Sequence, residues 1–308
     1  MLRRVWVQQY YLCGEVIRWR TAEEIPPAAV MISSPYEPDA HYAKKYTNSW
    51  VGYKVHLTET CEPDAPNLIT NVETTAAPIA DDALTEQLHS ALQTKNLLPS
   101  KHIVETGDLD AELLLTSQQQ YGVELIGPTR PDYHWQARAG QGFAAADFSI
   151  DWAQESATCP AGKQSSSWTP ALDQRGNAVS KIKFAGTDCG ACPSQKLCTR
   201  SQPPRRTVTI RPDQHYQALQ AGRQRESTPE YQEEYARRAG IEGTLSEGVR
   251  AHRLRHARYI GQPKTHLQHL LTAAAMNLKR IFNWLVEAPR EATRTSHFAR
   301  LMAQPATG

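Results

Sequence analysis

The sequence lacks a long apolar run. No stretch of its 308 residues approaches the roughly 20 consecutive apolar residues that a membrane-spanning helix needs. The opening, MLRRVWVQQYYLCGEVIRWR, contains arginines but neither a continuous apolar core nor a small-residue cleavage site, so it is not typical of a signal peptide. These absences predict a cytoplasmic protein.

A net charge is also nearly absent. The 34 Lys and Arg residues almost balance the 32 Asp and Glu residues, which gives a formal charge of +2. The chain is therefore no polycation, and any affinity for nucleic acid must come from local clusters of basic residues. Its 6 cysteines are expected to be reduced thiols or metal ligands, because disulfides are rare in the cytosol.

The first half alternates strand and helix patterns. WVGYKVHLTET, from Trp50, alternates apolar and polar residues and predicts a half-buried strand, and NLITNVETT predicts its hairpin partner. DDALTEQLHSALQTKNLL predicts an amphipathic helix capped by Asp81 and Asp82. HIVETG and GVELIGP predict two more strands, separated by the helix DAELLLTSQQQ. This order predicts an α/β fold with a mixed sheet flanked by helices.

A change of composition follows, from about Phe148 to Arg206, toward Ser, Thr, Pro, Gly and Cys. The segment contains a C-x29-C-x2-C-x5-C pattern, formed by Cys159, Cys189, Cys192 and Cys198. Four thiolates can close a tetrahedral zinc site. Since the segment has few apolar residues, metal binding would supply its folding energy. The alternative is that these cysteines are reduced thiols without a metal, or the remnant of a metal site.

Helical patterns return from Gln214 and run to Leu285, with a glycine-containing break around Glu242. Within them TAAAMNLKRIFNWL predicts an amphipathic helix that packs on the sheet.

Basic residues cluster after one acid in EYARRAGIEGTLSEGVRAHRLRHARYIG. On a helix Tyr235, Arg238 and Glu242 fall on one face, so Arg238 is predicted to hold the Glu242 carboxylate or a phosphate. Guanidinium groups bind phosphates bidentately, so this cluster of basic residues predicts a DNA-binding surface. Its residues are Arg250, Arg253, Arg255, Arg258 and Lys264. The alternative is a solvated basic helix face with i, i+4 ion pairs.

The run Tyr235-x2-Arg238-x3-Glu242 resembles the signature of the DDE-type insertion-sequence transposases. SPYEPDAHYAKKYTNSWVGYKVHLTET, LLPSKHIVETGDLDAELL, YGVELIGPTRPD and KTHLQHLLTAAAMNL are similar to successive blocks of one subgroup, from about Val5 to Leu285. The resemblance implies a ribonuclease H-like fold in which two aspartates and a glutamate bind Mg²⁺ or Mn²⁺ and cut and rejoin DNA. It also implies transposon ends and target DNA as partners, no membrane, and a place in the bacterial cytosol, associated with the nucleoid.

Two departures from the family pattern concern the predicted metal site. Glu105 occupies the place of the second aspartate, and its extra methylene is poorly tolerated by two-metal geometry. Asp108, which replaces a tyrosine, is the alternative second ligand, although it starts on a different side of the turn. The family's first aspartate lies on a strand before the SPYEPDAHY block, and this chain begins about thirty residues before that block. Asp39 matches the block itself. The resemblance therefore implies a C-terminal portion of a transposase that is truncated, catalytically impaired and inactive alone, with these site residues: Glu105, Glu242, Arg238 and Tyr235.

The expected organisation has five parts. Residues 1–48 are a remnant of the N-terminal region, 49–152 the first part of the catalytic domain, 153–206 a zinc ribbon-like insertion that interrupts it, 207–287 its C-terminal part with the Glu242 helix, and 288–308 a flexible tail. Homo-oligomerisation and association with an intact transposase remain open. The alternative function is a non-catalytic, zinc-containing DNA-binding or partner-binding module. A degraded reading frame that yields little folded protein is a third alternative.

Overall fold

The structure, a computed structural model, describes residues 1–105 and 109–289. Its strands are β1 (Tyr10–Cys13), β2 (Val16–Trp19), β3 (His41–Lys45), β4 (Asn48–Glu59), β5 (Ile69–Ala76), β6 (Lys101–Ile103), β7 (Glu124–Ile126), β8 (Ser149–Asp151), β9 (Ser156–Thr158), β10 (Ser167–Leu172), β11 (Ala178–Lys183) and β12 (Thr207–Ile210). Its helices are α1 (Leu2–Gln9), α2 (Thr85–Thr94), α3 (Ala111–Tyr121), α4 (Trp135–Ala139), α5 (Gly186–Gly190), α6 (Gln195–Cys198), α7 (Asp213–Glu226), α8 (Pro229–Ala236), α9 (Ala239–His252) and α10 (Gln262–Leu285). The chain is therefore a mixed α/β protein with several small sheets.

The longest strand, β4, forms the centre of an antiparallel sheet with β3 and β5. The predicted hairpin of two half-buried strands is confirmed. Ile69 and Val72 of β5 pack against Ala273 and Met276 of α10. Asn277 extends this contact, because its side-chain amide both accepts from the Ile69 N–H and donates to the Ile69 carbonyl at 2.8 Å. The predicted packing of this amphipathic helix on the sheet is also confirmed.

A second, parallel pair is formed by β6 and β7, with α3 between them. Asp110 begins α3 by accepting the Leu113 N–H at 2.9 Å, and Gly122 ends it in the left-handed conformation that favours glycine. Among the described residues this pair is not hydrogen-bonded to the β3–β4–β5 sheet. The prediction of one mixed sheet is therefore corrected to two adjoining small sheets, a difference that the local strand patterns cannot reveal.

The predicted cap of α2 is wrong at Asp81. The helix begins after Leu84 without a side-chain cap, and Asp81 instead forms an ion pair with Lys54 at 3.1 Å. Leu84 and Leu92 are buried as the pattern predicts. A contact with a distant strand thus outweighs the local capping option.

The cysteine-rich part has an apolar core of its own. The core residues are Phe148, Ala157, Ile182, Phe184, Val208 and Ile210. They come from β9, β11 and β12 and from the positions next to β8 and β11. β12 pairs with β11 from Ser180↔Ile210 to Lys183↔Thr207, so residues 207–210 pack with this unit, beyond the expected boundary at 206. Metal binding is therefore not the sole source of order here.

The helical region after β12 is broken at Arg237 and Arg238, between α8 and α9. The sequence predicted a glycine-containing break around Glu242, and this position is corrected. Gly240 lies inside α9, where an added Cβ would come within 3.1 Å of the Asn67 side chain and 3.3 Å of the Glu59 carboxylate. The glycine therefore allows α9 to approach the end of β4 closely.

Two remaining expectations concern the end of the chain and membranes. The predicted tail, residues 288–308, lies outside the described residues from position 290 onward. No helix in the described part of the chain is both long enough and apolar enough to cross a membrane.

Candidate functional site

Glu105 and Glu242, the two acids predicted as site residues, lie on either side of Arg238. One guanidinium nitrogen, Nη2, is 2.9 Å from Glu105 Oε1, and the other, Nη1, is 3.0 Å from Glu242 Oε1. Glu105 follows β6 and Glu242 lies in the first turn of α9, so the arginine joins sheet and helix. The Glu105 and Glu242 side chains are 57% and 61% exposed, against 23% for Arg238. Both carboxylates are thus open to solvent and share one positive charge.

Two tyrosines on α8 support this arginine. The Arg238 guanidinium lies 5.9 Å from the centre of the Tyr235 ring, within the range of a cation–π contact. Tyr235 in turn stacks on Tyr231 at 6.0 Å with the rings 9° from parallel. Burial raises the pKa of Tyr231 to about 12, so its hydroxyl stays neutral. Tyr235 therefore contacts the guanidinium that holds the acids.

The position of α8 is fixed on β6 by a further ion pair. Lys101 Nζ lies 2.7 Å from Glu234 Oε1, and this contact raises the pKa of Lys101. Lys101 begins β6, the strand that leads into Glu105. The elements that carry Glu105 and Arg238 are therefore linked at two places.

A third acid near α9 was missed by sequence reasoning. Glu59 ends β4, and its side chain is only 5% exposed. Arg280 Nη1 lies 3.0 Å from Glu59 Oε2, and the Thr244 hydroxyl donates to the same oxygen. The available signal was an acid at the end of an alternating strand. In residues 1–105 and 109–289, however, no three His, Cys, Asp or Glu side chains are arranged to hold a metal ion.

Of the two other aspartates considered from the sequence, Asp39 does not join Glu105 and Glu242. Asp39 lines a separate cavity with Glu73 and His266, beside the start of α10. Asp108 lies outside the described residues. The contact through Arg238 therefore brings together two acids.

The predicted basic surface lies at the end of α9, on the loop that follows it and at the start of α10. Arg253 ends α9 in a left-handed conformation, and the buried Leu254 anchors the loop. All five predicted residues are exposed: Arg250, Arg253, Arg255, Arg258 and Lys264. None of them forms a salt bridge within the part of the chain that the structure describes. The i, i+4 ion pairs of the alternative interpretation are thus not formed there.

The acid closest in sequence to this surface points elsewhere. Glu247 lies 2.8 Å from Lys279 Nζ and 3.5 Å from Arg280 Nη2, both on α10. Burial raises the pKa of the Glu247 carboxyl, but the contact with Lys279 outweighs it together with the nearby charges of Arg280 and His252, so the pKa is lowered. Glu247 therefore stays charged, and its negative charge is paired with Lys279 and Arg280 of α10 rather than with the basic surface.

The four clustered cysteines line one cavity of about 30 Å³. No disulfide joins them. The backbone N–H of Lys163 donates to Cys159 Sγ at 3.3 Å, and the backbone N–H of Arg206 donates to Cys189 Sγ at 3.4 Å. Burial raises the pKa of the Cys198 thiol. The structure thus brings the predicted cysteines to one place, although their present spacing is not that of a metal-bound set.

The sequence of part of the second half of the chain is similar to one known family. Residues 158–282 match the family described as "Transposase DDE domain". The match begins just before Cys159 and ends within α10, so it includes all four clustered cysteines, Arg238 and Glu242, and it covers less than half of the chain. Neither the curated proteins nor the solved structures include a significant match.

Proposed function

We propose that the chain acts on DNA during insertion-sequence transposition, because residues 158–282 match the family described as "Transposase DDE domain". The family implies DNA as a partner and divalent metal ions as cofactors. The observation that carries the proposal is the Arg238 bridge, which joins Glu105 and Glu242 although they are 137 positions apart. Such a bridge holds two acidic side chains beside a guanidinium, a group that also binds phosphates.

We assign Glu105 and Glu242 as ligands of Mg²⁺ or Mn²⁺. Carboxylate oxygens suit these hard cations, and both side chains are open to solvent. Bound metal would activate the attacking oxygen and stabilise the leaving oxygen during cleavage of the DNA end and transfer of its 3′-hydroxyl to target DNA. When a metal binds, Arg238 would release one carboxylate and keep the other oriented toward the metal. Tyr235 would hold the guanidinium in place by packing against it. The donor set fits a cation, but it provides two acids rather than three.

The basic surface continues from this site along α9. Arg250 follows Glu242 by eight positions, which corresponds to about 12 Å along a helix. Exposed guanidinium and ammonium groups that no carboxylate neutralises attract phosphates. We propose that this surface holds the backbone of the DNA strand that reaches Glu242. The binding is sequence-tolerant, because phosphates carry no sequence information.

We propose that strand cleavage by this chain alone is weak. Two-metal chemistry needs several converging carboxylates, since each anion offsets the repulsion between the cations. Glu105 is one methylene longer than the aspartate that resembling transposases have at this position. Arg238 further neutralises the two acids through its ion pairs with both of them. The site is therefore better suited to holding one cation loosely than two at a fixed separation.

The second candidate function is a non-catalytic, zinc-containing module that binds DNA or associates with an intact transposase or with a second copy. The observation that favours it is the convergence of four cysteines on one cavity within a unit that has its own apolar core. In this function the basic surface binds DNA and the acids of the site have no catalytic role.

A cleavage assay separates the two functions. The full chain is incubated with Mn²⁺ and DNA bearing the terminal inverted repeats that flank its gene, beside the Glu242→Gln variant. Weak nicking that disappears in Glu242→Gln supports the transposase function. Equal background nicking by both proteins, with DNA binding retained, supports the non-catalytic module. Absence of DNA binding at low salt would overturn the transposase function and the DNA-binding form of the module, and would leave only association with another protein.

A further inference from the structure

Three separate pieces of backbone bring the clustered cysteines together. Cys159 follows β9, Cys189 lies in α5 with Cys192 two residues beyond its end, and Cys198 is the last residue of α6. The apolar core that includes Phe184 packs directly against three of them. The core therefore holds the sulfur atoms around one cavity without any bond between them.

Two of the sulfur atoms are hydrogen-bonded by backbone amides. The donors are the N–H groups of Lys163 and Arg206, which point at Cys159 Sγ and Cys189 Sγ. A hydrogen bond that sulfur accepts favours the thiolate over the thiol, and the thiolate is the form that binds metals. Both contacts therefore suit anionic sulfur.

Arg206 brings a buried positive charge to the same cavity. The residue is 8% exposed, and its Nη1 and Nη2 donate to the carbonyl oxygens of Cys198 and Phe143 at 3.3 and 3.0 Å. Its Nε N–H has no acceptor among the described residues, and no carboxylate there forms a salt bridge with it. Asp132 attracts Arg206 but is hydrogen-bonded by His134. A guanidinium buried without an anion is unfavourable.

The charges around the cavity leave Arg206 uncompensated. Besides Arg206, the charged side chains that line it are Lys163 and Asp188, whose opposite charges cancel. The lining therefore has a formal charge of +1 when the cysteines are neutral thiols. An anionic group at the centre would balance it.

We infer that Cys159, Cys189, Cys192 and Cys198 bind one Zn²⁺ as a tetrathiolate and that Arg206 is the buried counter-cation of this complex. Four thiolates and one dication carry a charge of −2, so the complex supplies the anion that Arg206 lacks. Binding releases the four thiol protons. Sulfur ligands favour Zn²⁺ over Mg²⁺ or Ca²⁺. The inference rests on the zinc-containing module proposed above and is independent of strand cleavage.

Metal binding would also tighten the unit. No three of these side chains are arranged to hold a metal ion among the described residues, so Zn²⁺ binding would have to bring the four sulfur atoms closer together around the cavity. Because the four cysteines span the unit from the end of β9 to the end of α6, this closure joins its parts. We therefore expect zinc to stabilise the cysteine-rich unit.

The test measures zinc in the full chain, purified with reduced thiols and without chelators. We expect about one equivalent of Zn²⁺ by elemental analysis and a tetrahedral thiolate spectrum after Co²⁺ substitution. Cys192→Ser should lose both. In competition with a chelator, Arg206→Met should bind Zn²⁺ roughly 10- to 100-fold more weakly, as for other groups that support metal ligands. Arg206→Lys should lose less.

The matched control is Arg205→Met, which removes the same charge from the exposed neighbouring residue and should bind Zn²⁺ as the unaltered chain does. Absence of zinc and of a thiolate spectrum in the unaltered chain would overturn the site. Wild-type affinity in Arg206→Met would overturn the role of Arg206. If Arg206→Met does not fold with excess zinc, Arg206→Gln decides, because it removes the charge but keeps a polar side chain, and wild-type affinity in that variant would overturn the role of Arg206. Strand cleavage is measured separately, so its failure leaves the zinc result intact.

Discussion

Arg280 on α10 forms a buried ion pair with Glu59 at the end of β4, with 3.0 Å between Nη1 and Oε2. Arg280 also donates from Nη2 to the Thr244 hydroxyl at 2.6 Å and from Nη1 to the Asn67 carbonyl at 2.8 Å. Thr244 lies on α9, the helix that carries Glu242. The pair therefore fixes α9 between the long strand and the last described helix.

We expect Arg280→Met to destabilise the protein by about 3 kcal/mol, because it leaves the Glu59 carboxylate buried without its partner. Denaturant unfolding, followed by circular dichroism, measures the loss. Lys279→Met is the control, since Lys279 pairs with Glu247 at a largely exposed position and should cost less than about 1 kcal/mol. Equal losses in the two variants would show that the Glu59 pair is no stronger than a surface contact.

The basic surface predicts a specific salt dependence of DNA binding. Changing Arg250, Arg253 and Arg255 together to Gln removes up to about three phosphate contacts, which should flatten the slope of log affinity against log salt by up to about 2.7. Fluorescence anisotropy over a salt series measures the slope.

The matched control removes three exposed arginines from the N-terminal region, Arg3, Arg4 and Arg18. This triple variant has the same change of net charge and should keep the wild-type slope. A slope that changes equally in both variants would indicate a general effect of charge instead of a binding surface.

Acidification should destabilise the contact between α10 and β5. His269 is buried there, with Nδ1 hydrogen-bonded to Thr74 Oγ1 at 2.8 Å, and burial, with the nearby charge of His266, lowers its pKa from 6.5 to about 4. Below pH 6.5 the unfolded chain takes up a proton that the folded chain does not. The free energy of unfolding should therefore fall between pH 6.5 and about 4, by up to roughly 3 kcal/mol from this group.

Urea unfolding at pH 7 and pH 4.5 tests this. His269→Gln should lower stability at pH 7 but reduce the difference between the two pH values. His256→Gln, which removes an exposed histidine, controls for the loss of an imidazole. An unchanged pH dependence in His269→Gln would assign the effect to other groups.

Elements with a strong local pattern could be predicted from the sequence. The alternation around Tyr53 predicted β4, and the small and apolar residues around Met276 predicted the packing of α10. The break at Arg237 could not be predicted, because the helical pattern continues through it and the glycines that favour a break lie further along the chain. Local periodicity reports which face is buried, and not how helices are arranged against a distant strand.

Most of the features that could not be predicted from the sequence depend on contacts between residues that are far apart in the chain. Glu59 and Arg280 are 221 positions apart, and neither has a local signal for the ion pair. Arg206 had no assigned role, because its burial depends on a core whose apolar residues are divided among short strands. The contact of Arg238 with Glu242 follows from helical spacing alone, whereas its contact with Glu105 needs the folded chain.

The last prediction concerns Glu105 and strand cleavage. Shortening the side chain by one methylene in Glu105→Asp moves the carboxylate away from Arg238 and toward the position that the resembling transposases use. Because catalytic geometry is sensitive to shifts of about 1 Å, we expect Mn²⁺-dependent nicking of cognate ends to rise roughly 10- to 100-fold above the weak nicking that we propose for the unaltered chain. Glu86→Asp makes the same change at an exposed position on α2 and should leave activity unchanged. Adding Glu242→Gln to Glu105→Asp should abolish the gain, since the second ligand is then neutral. Strong cleavage by the unaltered chain that Glu105→Asp lowers would show that the longer side chain is already the productive ligand.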